Sequence, residues 1–157
     1  SRAEKKVRDR LEELGMECFL PVQTVLRQWT YRKSRVVVPV IAGLVFVRVS
    51  RQEQVKVLQT KGVVAFLRLK GEAGAAVIPD KQMEDFRFLL DFSEEAVEMT
   101  NENIKAGDLV RVVKGSLRGM EGELIRHKGV TKVLVRIDML GCAMVNIPAS
   151  FVEKLNK

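Results

Sequence analysis

The sequence predicts an α+β protein in two parts, a mixed helix-and-strand domain followed by a small all-β barrel. Three observations carry this. Apolar residues recur at helical spacing near both ends of the first two thirds of the chain; extended runs rich in valine lie between them; and five short strand-like segments crowd the final third.

A first helix is expected over residues 2–14, because Ala3, Val7, Leu11 and Leu14 fall on one face. Gly15 stops it. Glu4 and Arg8 are an i,i+4 pair in the favourable order, and Arg2, Lys5, Lys6 and Arg10 occupy the rest of the surface. The following "MECFLPVQTV" reads as extended, and the polar, basic and aromatic "RQWTYRKSR" separates it from the β-branched run 36–38. A hairpin with a basic tip is the expected result. The next strand, 44–49, follows "PVIAG", whose Pro39 and Gly43 permit a turn or bulge.

A short helix is expected at 52–60 with Val55 and Leu58 inward, then a strand at 63–69 and a loop through "KGEAGAA". Pro79 and Asp80 open a last helix carrying Met83, Phe86 and Leu90 on its core side. The order α, β, β, β, α, β, α lacks one leading strand relative to a split βαβ, ferredoxin-like domain, in which helices cover one face of the sheet. Residues 93–105, "SEEAVEMTNENIK", are acidic without an apolar stripe and read as a linker. Short strands are then expected at 109–113, 120–126, 132–137, 142–146 and 151–153, enough for a small barrel that removes its own edges. The predicted organisation is a domain at 1–92, a linker at 93–105 and a barrel at 106–157.

At 157 residues and 46% hydrophobic content the chain has the composition of a soluble globular protein. Its most apolar stretch, 36–49, is interrupted by Pro39, Gly43 and Arg48, so no membrane span and no membrane partner are expected. Cys18 and Cys142 stand alone, which argues against a disulfide framework or a zinc site and suits a reduced, cytoplasmic setting. His127 is the only histidine, no glycine loop cradles phosphate, and no nucleophile, base and orienting group come together. The reading is a protein without catalytic chemistry, cofactor or metal, and a monomer.

The net charge of +7 is uneven. Residues 1–91 carry 17 basic and 11 acidic side chains, 92–105 carry one and four, and 106–157 carry nine and five. Two basic blocks around an acidic connector suit a phosphate-rich partner.

The most specific stretch is "GDLVRVVKGSLRGMEGELI", residues 107–125, where Gly115, Gly119 and Gly122 punctuate an alternating, valine-rich strand and its successor. With Gly107, Val110 and Val112 it resembles the KOW motif, and with the strands behind it the SH3-like KOW barrel that ends chains of the NusG family of transcription factors. Ribosomal proteins carry KOW motifs too, so a ribosome-associated or RNA-binding protein is the alternative reading. In the first domain "PVIAGLVFV", residues 39–47, resembles the strand signature of that family's NGN domain, and "TKGVVAFLR" and "AVIPDKQM" follow in the family's order. Ala42 stands where the family often has proline and Leu44 where it often has tyrosine. Ser1 enters where the family's first strand should be ending, so the sheet is expected to lack that strand through truncation or loss of order.

The resemblance implies an NGN domain that docks an apolar depression onto the clamp helices of the largest RNA polymerase subunit. Leu44 and Phe46 would line it, with Ile41 and Phe19 beside them. Arg2, Lys6, Arg32, Lys33, Arg35, Lys61 and Arg68 would face the non-template DNA strand or nascent RNA, and Trp29 and Tyr31 would stack on an exposed base. The barrel would recruit a second partner, such as the termination factor Rho or a small-subunit ribosomal protein. Some family members are capsule-operon antiterminators, and the basic, aromatic hairpin and divergent docking strand lean this chain that way.

Overall fold

The computed structural model describes residues 2–68 and 70–155, with the Arg2 side chain outside the described set. The chain divides between Ala76 and Val77 into two compact units.

In the first unit, α1 (Arg2–Glu13) buries Leu11 against Met16 and Val57. The chain leaves it through Gly15, whose φ of +82° is left-handed backbone that glycine adopts without strain. Strand β1 (Glu17–Phe19) pairs antiparallel with β4 (Phe46–Arg48), in the register Glu17 to Arg48, Cys18 to Val47 and Phe19 to Phe46. Successive strand residues point to opposite faces, and Cys18 and Val47 pack on the Leu11 cluster. Between these strands β2 (Val22–Gln28) and β3 (Lys33–Pro39) form the expected basic hairpin as a separate two-stranded ladder. The strand expected over 44–49 is shorter than predicted, because the turn through 41–43 delays ladder pairing until Phe46.

Helix α2 (Glu53–Leu58) is opened by a reciprocal cap. The Glu53 N–H donates to Ser50 Oγ at 3.2 Å and the Ser50 N–H donates to Glu53 Oε1 at 2.9 Å. The hydrogen bonds that Ser50 offers the carboxyl, from its backbone N–H first and its side chain second, hold Glu53 below its ordinary range. Val57 is the residue buried on α2, and Val55 and Leu58, expected inward, are exposed. A helix under two turns long buries one position, Val57, against Leu11 of α1. The strand expected over 63–69 does not form among its described residues. Val63 and Phe66, three apart, anchor it on the Leu11 cluster, a spacing that period-two alternation does not give, while Val64 and Leu67 are exposed.

The second unit is α3 (Asp80–Phe92) with a six-stranded antiparallel sheet. Its strands are β5 (Glu98–Thr100), β6 (Asp108–Val112), β7 (Glu121–His127), β8 (Val130–Ile137), β9 (Gly141–Asn146) and β10 (Val152–Lys154). They lie in the order β10, β6, β7, β8, β9, β5, with β10 and β5 at the edges. All five strands expected in this region are present within two residues of their predicted ends.

Two expectations about the organisation change. The helix after Pro79 was assigned to the first domain, but α3 packs on β8 and is tied to it by a two-way amide clamp. Gln82 Nε2 donates to Asp138 Oδ1 at 2.9 Å, and the Asp138 N–H donates to Gln82 Oε1 at 2.8 Å. The α3 side chains Phe86 and Leu89 are fully buried. The acidic segment 93–105 is also ordered on the sheet, where a free connector was expected. Its strand β5 pairs with β9, and Ile104 packs on the cluster Ile125, Leu134, Cys142 and Met144. Its carboxylates find partners there: Glu98 Oε2 accepts from Lys132 Nζ at 3.2 Å, and Glu102 Oε2 lies 3.1 Å from His127 Nε2.

Candidate functional site

On the β1–β4 ribbon the face opposite Cys18 and Val47 carries Phe19 and Phe46. They are cross-strand partners whose rings stack with centroids 6.0 Å apart and planes 23° off parallel. Both are half-buried. Ile41 and Leu44 are half-buried as well, Ile41 at the start of the turn that precedes β4 and Leu44 in the irregular stretch between that turn and the strand. Leu44 was expected to share a strand face with Phe46, but it precedes the ladder, so alternation does not set its direction. The turn itself is fixed from α1: the Gly43 N–H donates to Glu4 Oε2 at 3.0 Å, and Glu4 is only 5% exposed. Gly43 sits at φ +72°, so a side chain there would be strained. Glu4 was read from sequence as a surface helix residue; its partner lies 39 residues away, beyond any local pattern.

The hairpin gathers a second set. Arg32, Lys33 and Arg35 are exposed on its tip and outgoing strand, as expected, and Arg27 on the incoming strand joins them. Among the described residues none of these four forms an ion pair. The reason is visible in the sequence, which has no Asp or Glu between Glu17 and Glu53. That run of 35 residues would have singled out Arg27. The tip closes through the Trp29 N–H donating to the Arg32 carbonyl at 2.7 Å, and Trp29 Nε1 donates to Ser34 Oγ. The Trp29 ring is thus pinned to the hairpin, whereas Tyr31 is 97% exposed.

The remaining expected contacts lie on other elements than the hairpin. Lys6 is exposed on α1, and Lys61 is exposed after α2, its carbonyl accepting from Arg10 Nη1 at 2.8 Å. Arg68 is exposed in the irregular run before residue 69. The expected contact through the Arg2 side chain lies outside the described residues.

In the second unit the glycine-punctuated motif frames the sheet. Val110 and Val112 are buried on β6. Gly115 and Gly119 adopt positive φ in the β6–β7 turn, and Gly122 lies opposite Val110 in the ladder. At Gly107 a Cβ would stand 2.1 Å from the Leu124 carbonyl oxygen, so only glycine fits. The Gly107 N–H donates to Glu123 Oε1 at 3.0 Å. Glu123 also accepts from Arg136 Nε at 2.7 Å and Nη2 at 3.1 Å, and Arg136 Nη2 donates to the Ile104 carbonyl at 2.8 Å. Burial pushes the Glu123 carboxyl up, but its bonds to Arg136 and the Gly107 N–H outweigh that and hold it below its ordinary range. Cys18 and Cys142 are free thiols with proton affinity raised first by burial, the condition of an unreactive cysteine.

The family model described as "Transcription termination factor nusG" matches residues 1–87, a span that runs through the first unit into α3. The crystal structure of an MjSpt4:Spt5 complex, conformation B, is similar over 99% of this chain and 89% of that one, at 17% identity and a TM-score of 0.24. Among curated proteins there is no match.

Proposed function

From the premise that this chain belongs to the NusG family of transcription factors, we propose that it is an elongation and antitermination factor that acts by binding, without chemistry of its own. The docking surface is the outer face of the β1–β4 ribbon together with the turn before it: Phe19, Ile41, Leu44 and Phe46. The observation that carries this reading is the division of labour across that ribbon. Cys18 and Val47 serve the internal core, while Phe19 and Phe46 stack on the other face and are only partly buried. An apolar surface of this kind suits the tip of a coiled coil such as the clamp helices of the largest polymerase subunit.

Docked there, the factor holds the clamp closed around nucleic acid and disfavours the paused state. The unpaired cations Arg32, Lys33 and Arg35, with Lys6, Lys61 and Arg68, attract the non-template strand, and Tyr31 supplies a ring on which a base stacks. The β-sheet with its glycine motif serves as a KOW module that recruits a second transcription or translation partner. The family places the chain with the transcription machinery, and no described helix is long and apolar enough to cross a membrane.

Co-purification with core RNA polymerase tests the docking surface. Leu44→Glu or Phe46→Glu abolishes the association while the melting temperature of the second unit stays unchanged. Association with ribosomal RNA alone, and none with polymerase, would overturn the reading. Elongation assays with and without a candidate leader sequence then separate a general role from an operon-specific one.

A further inference from the structure

The two faces of the hairpin differ. The ladder register places Gln23, Val25, Arg27, Ser34, Val36 and Val38 on one face, and all of these but Arg27 are half-buried. The opposite face carries the cross-strand pairs Thr24 with Val37, Leu26 with Arg35 and Gln28 with Lys33, and all six side chains are exposed. Leu26 is 62% and Val37 51% exposed, and they are diagonal neighbours on this face. Phosphate attraction accounts for Lys33 and Arg35 and base stacking for Tyr31, but neither accounts for two exposed aliphatic side chains beside Arg35 on the same face.

We propose that this outer face of the β2–β3 ribbon reads the major groove of double-stranded B-form DNA. The inference rests on the nucleic-acid role proposed above for the hairpin and goes beyond it, from a strand attracted by charge to a duplex read by its base edges. The dimensions fit. Two strands about 4.8 Å apart enter a major groove about 12 Å wide, which admits a two-stranded ribbon. The reading face runs from residue 24 to 28 and from 33 to 37, four residue steps or roughly 14 Å, which is about four base-pair steps at about 3.4 Å each.

The chemistry fits as well. Arg35 and Lys33 suit the paired acceptors on a guanine edge, Gln28 suits the donor and acceptor of adenine, and Leu26, Val37 and the Thr24 methyl suit the thymine methyl group. Arg27 and Arg32, which lie off this face, are left for the flanking phosphates. The major groove of an A-form RNA duplex is too narrow for a ribbon, so the occupant is DNA.

Selection of duplexes from a randomised DNA pool by the full chain tests the proposal, followed by titration of the selected duplex, its two separated strands and the same sequence as an RNA duplex. The expected result is an enriched motif bound about tenfold or more tighter as duplex DNA than in any other form. Arg35→Gln relaxes the preference at one position by about tenfold. The pair Leu26→Ser and Val37→Ser relaxes it at thymine positions, and Arg27→Gln weakens all sequences evenly. These are surface changes, and melting curves of each variant report that the fold is intact. Equal binding to the separated strands with no enriched motif overturns the groove reading and leaves the hairpin as a general nucleic-acid contact. No binding to any probe overturns both. Should the Leu26 and Val37 pair instead abolish polymerase association while leaving DNA binding intact, the face docks protein and the proposal fails.

Discussion

The hairpin of the first unit and the sheet of the second are both antiparallel ladders studded with Arg and Lys, yet they handle that charge in opposite ways. In the sheet, Lys132 meets Glu98, Arg136 meets Glu123, Arg111 meets Glu121 and Glu153, and Lys154 meets Asp108. On the hairpin Arg27, Arg32, Lys33 and Arg35 face solvent, with no carboxylate within their stretch of sequence. Net charge alone would rank both regions as nucleic-acid binders. Among the described residues four of the five strand cations of the sheet are paired, Arg126 being the exception, whereas none of the four on the hairpin is. The denser run of unpaired positive charge is therefore on the hairpin.

The largest effect that would sharpen this contrast comes from replacing all four hairpin cations by Gln. Nucleic-acid affinity in low salt is expected to fall at least about a hundredfold, and the slope of log K against log salt to shrink by roughly three to four; unchanged affinity would erase the contrast. Thermal stability should not move, because these side chains support nothing internal.

Arg136→Ala is the mirror experiment. It removes the clamp on Glu123 and the Ile104 carbonyl and should cost about 2 kcal/mol in urea unfolding, less than a fully buried pair because the arginine is partly in water. Nucleic-acid binding is expected to stay at the wild-type level. A smaller loss, about 1 kcal/mol, is expected for Ser50→Ala, which opens the cap of α2 and is read as a lowered denaturation midpoint.

The smallest effect is the dependence on acid. Glu53, Glu102 and Glu123 each have a folded-state proton affinity below the ordinary carboxylate value, chiefly through hydrogen bonds to Ser50, to His127 and, against the cost of burial, to Arg136. Folding therefore gains from their ionised forms. That gain is fully present above the unfolded carboxylate value near pH ~4.3 and is lost as pH falls through the lower folded values. Melting temperature followed from neutral pH down into this acid range should decline, and Glu123→Gln should flatten the decline. A hairpin without carboxylates contributes nothing to it.

Much of this was legible in the sequence. The strands of the second unit announced themselves because valine-rich alternation between glycines has one sensible pairing, and the basic hairpin followed from two β-branched runs around a polar tip. The failures share a cause, which is dependence on partners far along the chain. The acidic composition of 93–105 reads as a linker until Lys132, His127 and Arg136 are seen to lie beside it. Helix α3 looked like part of the first domain because Gln82 finds Asp138 only 56 residues later. Val63 and Phe66 sit in a run whose β propensity is overridden by two anchors on the α1 core. In the proposed docking surface Phe46 was recognisable from its motif, but its cross-strand pairing with Phe19 and the placement of Leu44 depended on the ladder register and the length of a turn.

The Glu4 carboxylate that fastens Gly43 carries a further consequence for how the molecule is born. Thirty-nine residues must close into a loop before that bond exists, whereas the hairpin lying inside the loop needs only its own neighbours. Short-range closure therefore favours the charged hairpin early in folding and the bond from α1 to the bend that follows it later.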